Sequence, residues 1–111
     1  MDFMARSARH FMAEKAAREI SQEILKAGLQ NLKILAESGR SIIGTYLSGC
    51  SDERKKQLRQ DYNALLNMGV TFDMILDKVA RQIPELGSIM ATKETYKQAE
   101  LQKVAEFLKG S

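Results

Sequence analysis

The chain predicts an all-α fold: a compact helical bundle of four to six helices, with a long N-terminal helix and no β-sheet. Three observations lead there. Every fourth residue from Met4 to Ala36 is apolar or glycine (Met4, Ala8, Met12, Ala16, Ile20, Ile24, Gly28, Leu32, Ala36), while charge interrupts the other three phases of the count. On an α-helix such a row is a ridge slanted about 26° to the axis, suited to the groove of a crossing helix. Helix starts and stops punctuate the rest of the chain, with Ser51 and Thr71 as caps and Gly39, Gly49, Gly69 and Gly110 as terminators. No segment alternates apolar and polar residues with the two-residue period of a strand. At 111 residues the chain reads as a single domain, 1–111.

The elements come in order along the chain. Asp2 can cap the first helix, whose pattern runs over about 2–37. A straight helix advances about 100° per residue, so each four-residue step carries the ridge roughly 40° around the axis. Over the whole row the contact line nearly circles the helix. The rod must therefore break, near Gly28, or touch different helices along its length. Glycine costs roughly 1 kcal/mol against alanine inside a helix, so Gly28 marks a bend or a close approach. Gly39 suits the left-handed position just past a helix C-terminus.

The helical core spans about 41–109. A short helix, Ser41 to Ser48, places Ile42, Ile43, Tyr46 and Leu47 on one side. Ser51, with Asp52 and Glu53 directly after it, opens a helix through Leu58, Tyr62, Leu65 and Leu66 that Asn67-Met68-Gly69 closes. Thr71 opens the next, with Phe72, Ile75, Leu76, Val79, Ala80 and Ile83 at helical spacing. Pro84 has no amide hydrogen and pushes Ile83 out of helix, so this helix stops there. A loop over Glu85, Leu86, Gly87 and Ser88 leads to a last helix with a stripe of Leu101, Val104, Ala105 and Leu108.

Composition narrows the function classes. A hydrophobic fraction of 44% beside 28% charged residues fits a folded globular chain rather than a disordered one. No apolar run approaches the ~20 residues that cross a bilayer, and Arg6, Arg9 and His10 interrupt any leader-like stretch. A cytoplasmic location is the expectation. Seventeen basic and fourteen acidic residues leave a net charge of +3, all of it within residues 1–69. His10 is the only histidine and Cys50 the only cysteine, so no metal-ligand set can be assembled from them. Cys50 has acidic rather than basic neighbours in Asp52 and Glu53, which does not activate a thiol. Asp73 and Asp77 read as a solvated helix face, and Asp52 stands one turn before Lys56 as its expected ion-pair partner. The expectation is a non-enzyme with no cofactor, no metal and no catalytic residue.

Two surfaces remain as candidates. Phe3, Met4, Phe11 and Met12 cluster on the first helix among Arg6, Arg9 and Arg18. An apolar helix face rimmed by arginines matches a helix-in-groove contact or a dimer seam, with the arginines steering an acidic partner. The reading is a small protein-binding regulator of the inhibitor, antiactivator, chaperone or adaptor type. It would cover an apolar groove on a partner protein and act as a homodimer. The alternative is a nucleic-acid-binding regulator using Arg54, Lys55, Lys56 and Arg59 together with the N-terminal arginines. The segment Leu65 to Thr71 has the glycine, apolar residue and capping hydroxyl of a helix-turn-helix corner. Asp73 and Asp77 at the start of the next helix would repel a phosphate backbone, which favours an ordinary helix-helix corner.

Overall fold

Gly28 sets the architecture. In the computed structural model its φ of +99° and ψ of +103° end the first helix, α1 (Asp2–Ala27), and a second, α2 (Leu29–Glu37), starts at the next residue. A Cβ at Gly28 would meet nothing closer than Asn31 Nδ2 at 3.9 Å, so glycine is required here by the backbone angle and not by crowding. The structure describes residues 2–110, with the side chains of 2–5, 29, 30 and 32 excepted. Phe3, Met4 and the capping role expected of Asp2 lie outside the described residues.

Both of the expected solutions to the rotating ridge occur. The rod breaks, and α1 packs across α5 (Phe72–Gln82) while also touching α2 and α3 (Ile42–Ser48). The buried face of α1 is two adjacent four-residue rows, Ala13-Ala17-Ser21 and Ala16-Ile20-Ile24. Ala13 and Ala17 are fully buried, which brings the α1 backbone close to what it crosses. The ridge fails at its N-terminal end, where Ala8 is exposed. Burial begins only at Met12, and residues 6–11 are exposed apart from half-buried Arg9.

The remaining helices are α4 (Asp52–Asn67), α6 (Pro84–Thr92) and α7 (Glu94–Lys109), which makes seven among the described residues rather than four to six. The expected caps form: Ser51 Oγ accepts from Arg54 N at 3.1 Å, and Thr71 Oγ1 from Met74 N at 3.3 Å. Gly39 has the left-handed φ its position calls for. One expectation is overturned at Pro84. Residues 85–88 are helix, not loop, because a proline that ends one helix is also well suited to the first position of the next. Ile83, at φ −124° and ψ +89°, serves as the end of α5 and the entry to α6.

α5 is the central element, with Ile75, Leu76, Val79 and Ile83 buried against α1, α6 and α7. Two helix C-termini are closed by long-range basic side chains. Lys93 Nζ donates to Glu37 O at the end of α2, and Arg59 Nε donates to Phe107 O in the last turn of α7 at 2.8 Å. Cations in these places satisfy free carbonyls and oppose the negative end of the helix dipole. The molecule measures 43 × 31 × 24 Å. No described helix is long and apolar enough to cross a membrane.

Candidate functional site

Phe11 and Met12 sit where α1 passes over the C-terminal half of α4. With Leu65 and Met68 they line a depression of about 340 Å³ whose rim includes Lys15, Glu19 and Asp61. Phe11 is 68% exposed and Met68 49%, while Met12 and Leu65 lean on the core. Large apolar side chains left in water carry a cost of about 25 cal/mol per Å², so an adjacent pair of them is informative where a single one is not. Among the described residues, none of the rim charges forms an ion pair within the chain.

The three arginines assigned to this face separate. Arg18 and Lys15 lie seven and four residues beyond Phe11 and share its side of the helix. Arg9 falls in line with the buried row of Ala13, Ala16 and Ile20 instead. Its side chain lies across the α4–α5 turn, where a Cβ on Gly69 would come within 3.0 Å of Arg9 Cδ. Arg6 is exposed, and its helical position is about 140° away from Phe11.

The basic run on α4 also disperses. Arg54 donates to Gln57 and borders a small cleft with Glu23 and Tyr46 beside α1 and α3. Lys55 and Arg59 turn toward α7, where the Arg59 guanidinium covers the Phe107 ring at 4.6 Å. Lys56 is exposed, and the ion pair expected between it and Asp52 does not form. Asp73 and Asp77 are not merely solvated: Lys97 reaches both, at 3.1 and 3.5 Å, and ties α5 to α7. The hydrogen bond from Lys97 to Asp73 raises the lysine pKa, against a smaller opposing effect of burial. Such partly exposed pairs are worth at most about 1 kcal/mol. α5 itself is packed by α1 and α6, so the corner before it is a junction within the core.

The polar centre of the molecule went unread in the sequence. Glu100 is completely buried on α7, between Tyr96 one turn before it and Val104 one turn after. Four donors converge on its carboxylate: the Ser41 hydroxyl, the Tyr96 hydroxyl at 2.7 Å, and the backbone N–H groups of Ile42 and Ile43, both at 3.2 Å. Ser41 Oγ in turn accepts from Gly44 N at 2.7 Å, so its own proton is directed to Glu100. The carboxylate thus closes the free amides that begin α3 and locks α3 onto α7. Burial pushes its pKa above the usual range for glutamate, and the four hydrogen bonds moderate that rise. Burial and the neighbouring carboxylate together raise the Tyr96 phenol well above its ordinary value, which keeps it a donor.

Cys50 is half-buried, with its thiol directed to Tyr46 O at 3.4 Å. No three His, Cys, Asp or Glu side chains among the described residues are placed to hold a metal ion. No protein-family model matches the chain, and neither the curated proteins nor the solved structures contain a significant match.

Proposed function

We propose that the protein is a non-enzymatic binding regulator that uses the outer face of α1 and the adjoining end of α4 to cover an apolar groove on a partner protein. The observation behind this reading is the pairing of Phe11 and Met68, both about half exposed or more, over a depression floored by Met12 and Leu65. Apolar knobs surrounded by uncommitted charges of both signs suit a protein surface, which offers complementary charges of both signs. A polyanion would need cations alone. Methionines at such a face can repack to fit a partner. Action as a homodimer is part of the proposal. The nucleic-acid alternative finds less support, because the α4 basic run faces three directions.

The test is a photo-crosslinking amino acid placed at position 11, compared with one at exposed Arg81 on the last turn of α5. A discrete adduct with the partner, specific to position 11, is expected. The substitution Phe11→Asp should abolish that species when the probe is moved to position 68. Because Phe11 is 68% exposed, this change should leave stability within about 0.5 kcal/mol. Equal crosslinking from positions 11 and 81, or persistence of the adduct in Phe11→Asp, would refute the assignment. Light scattering decides the homodimer: a mass near twice the 12.5 kDa chain supports it, and a monomer removes it.

A further inference from the structure

A second surface shares no lining residue with the α1–α4 face. Two depressions of about 300 and 480 Å³ have Gly44, Ser48 and Lys103 in common, and so form one groove between α3 and α7. Arg40 stands at one end, Lys103 along one wall, and Lys55 with Arg59 at the other end. The only carboxylate in its lining is Glu106, which pairs with Lys103 at 3.5 Å. Four cations against one carboxylate leave an excess of three, equal to the formal net charge of the entire chain. The groove is therefore locally cationic.

We infer that the groove binds a short, acidic, extended segment of a partner protein. Its floor is made of small residues, Gly44 and Ala99 among them, which lets a peptide backbone come close. Along α7 it runs from Ala99 to Gly110, about 16 Å at the ~1.5 Å rise of a helix. That length accepts about five residues of extended chain at roughly 3.3 Å each. The cations come from three different stretches of sequence and line the groove at both ends and along one wall. The one aromatic ring in the lining, Phe107, is already covered by the Arg59 guanidinium, so no platform remains for stacking bases. This favours a peptide over a single-stranded nucleic acid. Peptide binding here requires nothing of the α1–α4 face, and loss of either activity would leave the other intact.

The experiment measures binding of a fluorescein-labelled hexaglutamate peptide by fluorescence anisotropy at low salt, where surface charge is least screened. The groove variant is Arg40→Glu with Lys55→Glu, two side chains without hydrogen bonds or ion pairs inside the described structure. The control is Lys56→Glu with Arg81→Glu, both exposed and outside the groove. Each pair changes the net charge equally, and circular dichroism verifies that each variant is folded. The groove variant should weaken binding at least about tenfold (near 1.4 kcal/mol) and the control no more than about threefold. Three results would each overturn the inference: no binding by the unaltered protein, equal weakening by both pairs, or tighter binding of an oligothymidine of equal charge through the same two residues.

Discussion

Replacing Glu100 by glutamine tests the central lock of the structure with almost no change in volume. The carboxylate has two acceptor oxygens, and the amide has one. If the amide nitrogen takes the place of Oε2, the Ile42 N–H at 3.2 Å and the Tyr96 hydroxyl at 2.7 Å both lose their acceptor; the hydroxyl can turn to accept from the amide, but a backbone N–H cannot rotate to find another. If it takes the place of Oε1, the Ser41 hydroxyl loses its acceptor while its oxygen is already committed to Gly44 N–H. Ile43 N–H is then left with only its longer contact of 3.4 Å. Either way one buried donor is orphaned, at a cost of about 1–3 kcal/mol. With an unfolding entropy of roughly 2.1 cal/mol/K per residue, 111 residues give about 4 °C per kcal/mol. Glu100→Gln should therefore lower the melting temperature by about 4–13 °C at neutral pH.

The same variant exposes the titration of Glu100. A carboxyl whose folded pKa is raised binds more protons in the folded than in the unfolded state over the interval between the two values. Its contribution to stability is fully present below the ordinary glutamate value of 4.5 and is lost as the pH rises through the folded value. Glutamine does not titrate, and every other carboxylate cancels when the two proteins are compared. The stability gap between unaltered protein and Glu100→Gln, measured by urea unfolding across this range, should widen as the pH falls from about 7 toward 4.5. A gap that stays flat or narrows on acidification would contradict the raised pKa. Equal stability of the two proteins at every pH would show that the four donors do not depend on this carboxylate.

Two further changes probe α1 and its break. Ser21 Oγ is buried without a hydrogen-bond partner among the described residues, so Ser21→Ala should raise stability by about 1 kcal/mol, seen as a higher urea midpoint; a loss would mean the hydroxyl has an acceptor. Gly28→Ala forces a side chain onto a backbone at φ +99° in otherwise open space, and should cost about 1–2 kcal/mol in thermal melts. No loss there would mean that the joint between α1 and α2 can re-form as continuous helix.

Most of the fold was legible because its signals are local. Ser51 and Thr71 announce helix starts through the hydroxyl itself, and Pro84 ends a helix by lacking an amide, whatever the rest of the chain does. The same proline misled about residues 85–88, because its fixed φ suits a first helical turn as well as a stop, and composition alone does not choose between them. Surface assignments were less legible. Arg6, Arg9 and Arg18 look equivalent in sequence, yet only Arg18 shares the side of Phe11, while Arg9 extends the buried row. Leu66 continues the apolar pattern of α4, one turn beyond buried Tyr62, yet is 48% exposed. The groove was not readable at all, because Arg40 and Lys103 are 63 positions apart and belong to no common motif.

Glu100 was hidden for a different reason. The apolar residues of α7 point to a stripe through Leu101, Val104 and Leu108, whereas the deeply buried row is Tyr96, Glu100 and Val104. Of that stripe only Val104 is deeply buried, while Leu101 and Leu108 are half-buried and Ala105 is exposed. A charged residue one helical turn from a buried tyrosine and one from a buried valine was the available signal, and it is easily lost in a helix rich in lysine and glutamate. Its placement also connects stability with the groove. Gly44 lies so close to α7 that a Cβ there would stand 2.8 Å from Ser41 Oγ and 3.0 Å from Lys103 Cβ. The lock that holds α3 to α7 therefore also fixes the groove floor and the start of the Lys103 side chain. Loosening it with Glu100→Gln should weaken hexaglutamate binding at temperatures where the variant is still folded. Full retention of binding would show that the groove does not depend on this lock.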